Sequence, residues 1–294
     1  MPGLVPGIQP SASAGACRTL DPGDKHRDDR WAHRARVQPN SRETILLDGF
    51  HTMLLETRRL CKSFGSLKAA DGIDLGVAAG EAVGIIGPNG AGKSTLFNLI
   101  AGNLAADSGE VLLEGTDITR LKAHRRCAAG IGRSYQIPRP FENLTVCENL
   151  LVAAVHGRGR SVGGATDVCA GILEQTGLIR RANVPAGSLT LLERKRLEMA
   201  RALAGEPRLL LLDEPAGGLN PSETQSLIAL ISRLRDELGL TIMLVEHDME
   251  VVMTIGDRVA VLDHGRKIAE GKPREVARDP AVVEAYLGTE EARA

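Results

Sequence analysis

One stretch restricts this chain more than any other: Gly87-Pro88-Asn89-Gly90-Ala91-Gly92-Lys93-Ser94-Thr95. It fits G-x-x-x-x-G-K-[ST], the phosphate-binding P-loop. Such a loop needs a strand before it and a helix after it. Ala82-Val83-Gly84-Ile85-Ile86 reads as a short buried strand, and the apolar run from Leu96 to Ile100 continues as a helix. The glycines let the backbone curl so that successive N–H groups face phosphate oxygens. The helix adds the positive end of its dipole. Lys93 is expected to reach the β- and γ-phosphates of a nucleotide, and the Ser94 hydroxyl to sit on Mg²⁺.

From Met53 onward, strand-like runs alternate with helical ones. Strands are expected at residues 54–58, 72–77, 81–86, 111–114, 208–213, 241–246 and 258–262, with a more helical middle at 145–181. Compact apolar runs of this kind suit a parallel sheet covered on both faces. A helix is expected over 221–238, with Asn220 as N-cap and Pro221 at its first position. Leu209-Leu210-Leu211-Leu212 ends in Asp213-Glu214, which places two carboxylates where an α/β sheet binds ligands. Asp213 is the expected Mg²⁺ holder and Glu214 the general base for an attacking water. Taken alone, the run is equally a buried strand ending in solvated acids. His247 closes a second apolar run, Ile242-Met243-Leu244-Val245. Its imidazole is suited to a hydrogen bond with the γ-phosphate.

Composition narrows the function classes. Formal net charge is −1 and aromatic residues are 2% of 294, so neither a basic field nor stacking platforms point to nucleic acid. No apolar run approaches the roughly 18 residues of a membrane-spanning helix. Work at a membrane would need another chain to supply the membrane part, and no lipid anchor is expected. The cysteines lack C-x-x-C spacing, so no zinc site is indicated. Residues 1–52 are rich in Pro, Gly, Ser, Arg and Asp without periodicity and are expected to be a disordered extension. Met53 is the alternative translation start. Residues 289–294 are expected to be a tail.

The order of Gly87–Ser94, Gln136, Leu189–Glu193, Asp213-Glu214, Asn220 and His247 resembles the ATPase subunit of an ABC transporter. The resemblance covers residues 54–288. It implies an α/β P-loop NTPase with a RecA-like core, an antiparallel β subdomain and an inserted helical subdomain at about 137–188. It also implies ATP and Mg²⁺ as ligands and a head-to-tail pair of ATPases. Carried over by position, Phe64 in Lys62-Ser63-Phe64-Gly65 matches the aromatic that stacks on adenine, a place in the core being the alternative. Gln136 in Arg133-Ser134-Tyr135-Gln136 matches the residue that contacts Mg²⁺ and leads into the helical subdomain. Glu142–Leu150 resembles the segment that opens the subdomain facing the permease, with Thr145 and Glu148 as a capping box.

The chain departs from that family at its signature, Leu-Ser-Gly-Gly-Gln. Here it reads Leu189-Thr190-Leu191-Leu192-Glu193. Thr190 keeps a hydroxyl for the nucleotide of the partner, but two Cβ-bearing residues replace glycines, and Glu193 carries negative charge toward a triphosphate unless it turns away. Two outcomes stand: a loop that works normally, or an asymmetric pair whose partner is a different ATPase.

Several local stretches resemble the ATPases of branched-chain amino acid (Liv-type) importers. They are Arg133–Gln136 with Pro140–Val146, Glu214–Pro221, Glu246–Met249 and Asp279–Gly288. The resemblance implies a peripheral subunit on the cytoplasmic face of the inner membrane. It would work with a second ATPase, two permeases and a solute-binding protein. Urea importers, which use similar subunits, are the alternative. A soluble ABC ATPase acting on ribosomes or DNA is a third reading, disfavoured by a single cassette without a heptad run.

Overall fold

The structure, a computed structural model, describes residues 53–158 and 161–291. The extension expected at 1–52 and residues 292–294 lie outside the described residues. Among the described residues, ten strands fall into two sheets. β1 (Met53–Phe64), β2 (Leu67–Ala78), β4 (Ser108–Leu113) and β5 (Thr116–Asp117) form an antiparallel sheet in the order β2-β1-β4-β5. The larger sheet contains β3 (Ala82–Ile86), β6 (Ile131–Arg133), β7 (Leu209–Asp213), β8 (Thr241–Val245), β9 (Arg258–Asp263) and β10 (Arg266–Gly271). Its order is β10-β9-β3-β8-β7-β6, parallel except for β10 at the edge.

Alternation explains why runs of unbroken hydrophobicity form these strands. In β7, Leu210 and Leu212 enter one core while Leu209 and Leu211 enter the other. Ile242 and Leu244 of β8 join the first core, and Met243 and Val245 the second. The first core is closed by α3 (Val146–Arg158), α4 (Val162–Gln175), α5 (Leu191–Ala204) and α6 (Pro221–Leu238). The second is closed by α1 (Lys93–Ala101) and the antiparallel sheet. A third, smaller cluster joins Ile86, Val252, Val259 and Val261 to Val276 and Val282.

Start signals set the helices. Asn220 caps α6 in a reciprocal box with Glu223, with Pro221 at the first position. Thr145 and Glu148 form the box that starts α3. Short helix α2 (Ala123–Ala128) carries Arg126, which is 2% exposed. Its guanidinium donates to the carbonyls of Leu99 (2.6 Å) and Ile100 (2.8 Å) and so caps the C-terminal end of α1. Helices α7 (Met249–Ile255), α8 (Pro273–Val276) and α9 (Pro280–Glu291) complete the chain. Residues 289–291 are therefore helical rather than a tail. Among the described residues no helix is long and apolar enough to cross a membrane.

Candidate active site

Sheet register brings the marked residues to one edge. Ile85 of β3 lies beside Val245 of β8, which lies beside Asp213 of β7. The P-loop, Glu214 and His247 each follow one of these strand ends, at the carboxyl edge of a parallel sheet.

The P-loop is held from outside. A Cβ on Gly87 would fall 2.0 Å from the Leu262 carbonyl, and one on Gly92 would fall 2.2 Å from that of Ala69. The Gly265 N–H donates to Ala91 O (3.0 Å), and the Asp71 N–H donates to Gly265 O (2.8 Å). The β9–β10 turn and β2 thus wedge the loop in place. From α9, the phenol of Tyr286 accepts the Gly87 N–H. Burial raises its pKa, and that hydrogen bond works against the rise. Pro88 is buried, whereas Asn89 and Gly90 face outward.

Lys93 is only 6% exposed, and its Nζ donates to the carbonyls of Gly87 (2.7 Å) and Pro88 (2.9 Å). Burial pulls its pKa below the usual lysine value, while the carboxylates of Glu214 and Asp213 oppose that and favour the charged form. Gly92 is the N-cap of α1 and supplies no side chain to its first turn. The N–H groups of Lys93, Ser94 and Thr95 are left uncapped at a helix start, as an anion-binding cradle requires.

Glu214 is the hub of the site. It sits in the left-handed region at φ 45°, a conformation that costs a non-glycine residue about 1–3 kcal/mol and clusters at functional sites. Its N–H donates to Val245 O (2.9 Å). One carboxylate oxygen accepts Gln136 Nε2 (2.5 Å), and the other lies 2.9 Å from His247 Nε2. Gln136, Glu214 and His247 therefore form one hydrogen-bonded group. Asp213 faces Arg133 instead, with Nη2 to Oδ2 at 3.0 Å and both side chains 9% exposed. Arg133 Nη1 also donates to Asn98 Oδ1 of α1 (2.7 Å).

The expected Mg²⁺ site passes a simple test. Among the described residues no cluster of three or more His, Cys, Asp or Glu forms a closed cage. Mg²⁺ prefers one or two carboxylates plus phosphate oxygens, and Asp213, Ser94 and Gln136 offer one carboxylate and two neutral oxygens.

Phe64 and Thr190 stand apart from this group. Phe64 is 49% exposed at the end of β1, with Lys62 Nζ 5.7 Å from its ring centre. It is not a core residue. Thr190 caps α5: its hydroxyl accepts the Glu193 N–H (3.3 Å), and the Glu193 carboxylate accepts the Thr190 N–H (2.9 Å). Glu193 also meets Arg181 Nε at 2.9 Å. Partial burial disfavours its charge, but the Thr190 N–H and Arg181 outweigh it and lower the pKa. The negative charge feared at the signature is turned back and neutralised. Leu191 remains 42% exposed and packs over Gly218.

Three residues of the site carry no motif in the sequence. Arg133 stands three positions before Gln136, and only the carboxylate of Asp213 at the end of a buried strand hints at it. Glu246 is 3% exposed and accepts the N–H groups of Ala216 (2.8 Å) and His247 (3.3 Å). Lys195, in Arg194-Lys195-Arg196, reads as part of a solvated face yet is buried.

Known proteins resemble this chain in sequence and in fold. Residues 70–217 match the family described as ABC transporter, and residues 266–292 match the one described as branched-chain amino acid ATP-binding cassette transporter. The chain is 40% identical to the high-affinity branched-chain amino acid transport ATP-binding protein BraF of Pseudomonas aeruginosa, over 80% of this chain and 98% of that one. A solved ATP-binding cassette of an ABC transporter in its ADP conformation superposes with a TM-score of 0.73 at 34% identity, covering 80% of this chain and 99% of the other. A dimeric ATP-binding cassette in a post-hydrolysis state bound to ADP and phosphate gives 0.67 at 28% identity, covering 75% and 99%. The chain therefore belongs to the ATP-binding subunits of ABC transporters, in their branched-chain amino acid group, a family that hydrolyses ATP to power transport.

Proposed function

We propose that this subunit powers the import of branched-chain or other hydrophobic amino acids through two separate permeases fed by a solute-binding protein, from the cytoplasmic face of the inner membrane. The likeness to BraF along nearly all of that relative's length carries the reading. The match of residues 266–292 to the branched-chain cassette family supports the same cargo class over urea or an amide. Exposed Tyr135, Ile137 and Phe141 offer an apolar docking face for a permease loop beside Gln136.

In this reading the P-loop from Gly87 to Thr95 binds the ATP phosphates, and Phe64 stacks on the adenine. Lys93 exchanges its two carbonyl partners for phosphate oxygens and stabilises charge there. Mg²⁺, held by Ser94, Asp213 and Gln136, would offset charge on the phosphates. Glu214 takes the proton of the attacking water. Gln136 and His247 orient the Glu214 carboxylate and, once ATP is seated, the γ-phosphate. Closure onto a second cassette would move the helical elements and, through them, the permease.

That second cassette is a different chain. Leu191 and Leu192 stand where glycines would let a backbone approach phosphate. The partner would therefore complete the productive site around Glu214, while this chain's signature closes a slower one. Reconstituted pairs test this: Glu214→Gln should abolish far more turnover than the matching change in the partner, and equal losses would overturn the asymmetry. Uptake of radiolabelled leucine and of urea in a deletion strain tests the cargo. Loss of leucine uptake alone is expected; loss of urea uptake alone would refute the assignment.

A further inference from the structure

Lys195 is a buried cation that the hydrolytic reading leaves without a role. It lies in the second turn of α5 and is 6% exposed. Its Nζ donates to the main-chain carbonyls of Gln136 (2.8 Å) and Glu214 (3.0 Å). These are the two residues whose side chains meet each other. One ammonium thus closes a ring, joining their backbones on one side while the amide and carboxylate join on the other.

The surroundings suit a charged group. Glu246, Glu214, Asp213 and Glu198 face it, and their fields oppose the desolvation that lowers its pKa. Burying an ammonium costs several kcal/mol, and an apolar side chain of the same length would fill the space without that cost. The charge therefore has work beyond packing. Glu214 supplies the reason. Its left-handed backbone is strained, its N–H is fixed to β8, and Lys195 fixes its carbonyl. The peptide groups on both sides of the strained residue are anchored.

The same face of α5 grips the loop beyond Gln136. Glu198 accepts the Arg139 N–H (2.8 Å), and Arg201 donates to the Arg139 carbonyl (2.9 Å). We propose that Lys195 is a positioning residue for hydrolysis: it holds Glu214 and Gln136 in register and ties that register to the orientation of α5. A rotation of α5 relative to the sheet must carry the 136–139 loop with it or release the Glu214 carbonyl. The altered signature stands at the start of this helix, so pairing of two cassettes would act on Glu214 through Lys195.

This inference rests on Glu214 being the general base, and the test separates the two. The full chain with its partner cassette is assayed for ATP turnover and, separately, for equilibrium ATP affinity. Lys195→Met should lower turnover about tenfold, in line with a misplaced catalytic group, while the affinity stays within about twofold. In a Glu214→Gln background, Lys195→Met should change the residual single-turnover rate by less than about twofold, because the two changes disable one unit. Lys195→Gln, which keeps an N–H donor, should fall between wild type and Lys195→Met. If Glu214→Gln alone leaves turnover intact, the reading of Glu214 fails and the inference with it. If Glu214→Gln abolishes turnover but Lys195→Met does not lower it, only the positioning role is overturned. Equal tenfold losses in both backgrounds, or a matching loss of ATP affinity, would also overturn it. Should Lys195→Met not fold, Lys195→Gln decides by the same criteria.

Discussion

Replacing Gly92 with alanine tests whether the P-loop is wedged as described. Gly92 has φ 103°, and its added Cβ would lie 2.2 Å from Ala69 O and 3.5 Å from Gly265 Cα. Three terms set the outcome. A left-handed alanine costs about 1–2 kcal/mol. Loss of glycine's freedom in the unfolded chain returns about 0.4–1 kcal/mol. The overlap is the third term: real Cβ contacts essentially never fall below 3.0 Å, so β2 and the loop must part by nearly an ångström. Strain of that kind costs about 1–3 kcal/mol. The net destabilisation is about 1–5 kcal/mol, centred on about 3. Gly90→Ala is the control, because Gly90 also has positive φ (84°) but nothing lies within 4 Å of its Cβ. Its first two terms nearly cancel, leaving about 1 kcal/mol or less. Urea unfolding followed by circular dichroism measures both, provided the slope is unchanged. ATP affinity should fall more than about tenfold in Gly92→Ala, since each 1.4 kcal/mol of displaced contact is a factor of ten. If the two variants agree within about 0.5 kcal/mol, the wedge does not exist.

Glu214→Gln should lower turnover about 10²–10⁴-fold with ATP binding retained, and parallel loss of binding in a nucleotide titration would count against a role as base. Arg126→Met should destabilise the protein by about 3 kcal/mol, since it strips charged hydrogen bonds from two buried carbonyls; a loss of less than about 1 kcal/mol in urea unfolding would refute the cap. Burial raises the Glu246 pKa above its ordinary 4.5, against the lowering effect of the Ala216 and His247 N–H groups. The folded protein then keeps a proton that the unfolded chain has released, so stability falls as pH rises through the window above 4.5. Glu246→Gln should flatten that slope in a pH series of unfolding curves, and an identical slope would refute it.

Strands built on leucine runs, and helices with box-like starts, were legible because each residue's own chemistry matched its place. Leu209 to Leu212 suits a strand buried on two faces, and Asn220-Pro221 suits a helix start. Other elements lacked such a signal. β10 is Arg-Lys-Ile-Ala-Glu-Gly at a sheet edge, with one strand beside it and no apolar run. β6 is three residues long and owes its existence to pairing with β7. β1 runs on to Phe64 through an irregularity at Arg59, where φ is 45° and no periodicity survives. The site divides in the same way. Its motif residues were readable, whereas Arg133, Glu246 and Lys195 depend on partners 80, 30 and 59 positions away. Local patterning carries no information about contacts at that range.

The props of the P-loop come late in the chain. Leu262, Gly265 and Tyr286 all touch a loop that ends at Thr95. A ribosome must add about 190 more residues before Tyr286 exists, which takes about 10–40 s at ordinary elongation rates. Through that interval the glycine loop has its strand, its helix and β2, but neither the β9–β10 turn nor α9. The nucleotide cradle is therefore finished only once residue 286 has been made, and a growing polypeptide stalled short of residue 262 would carry the whole motif without the means to hold its shape.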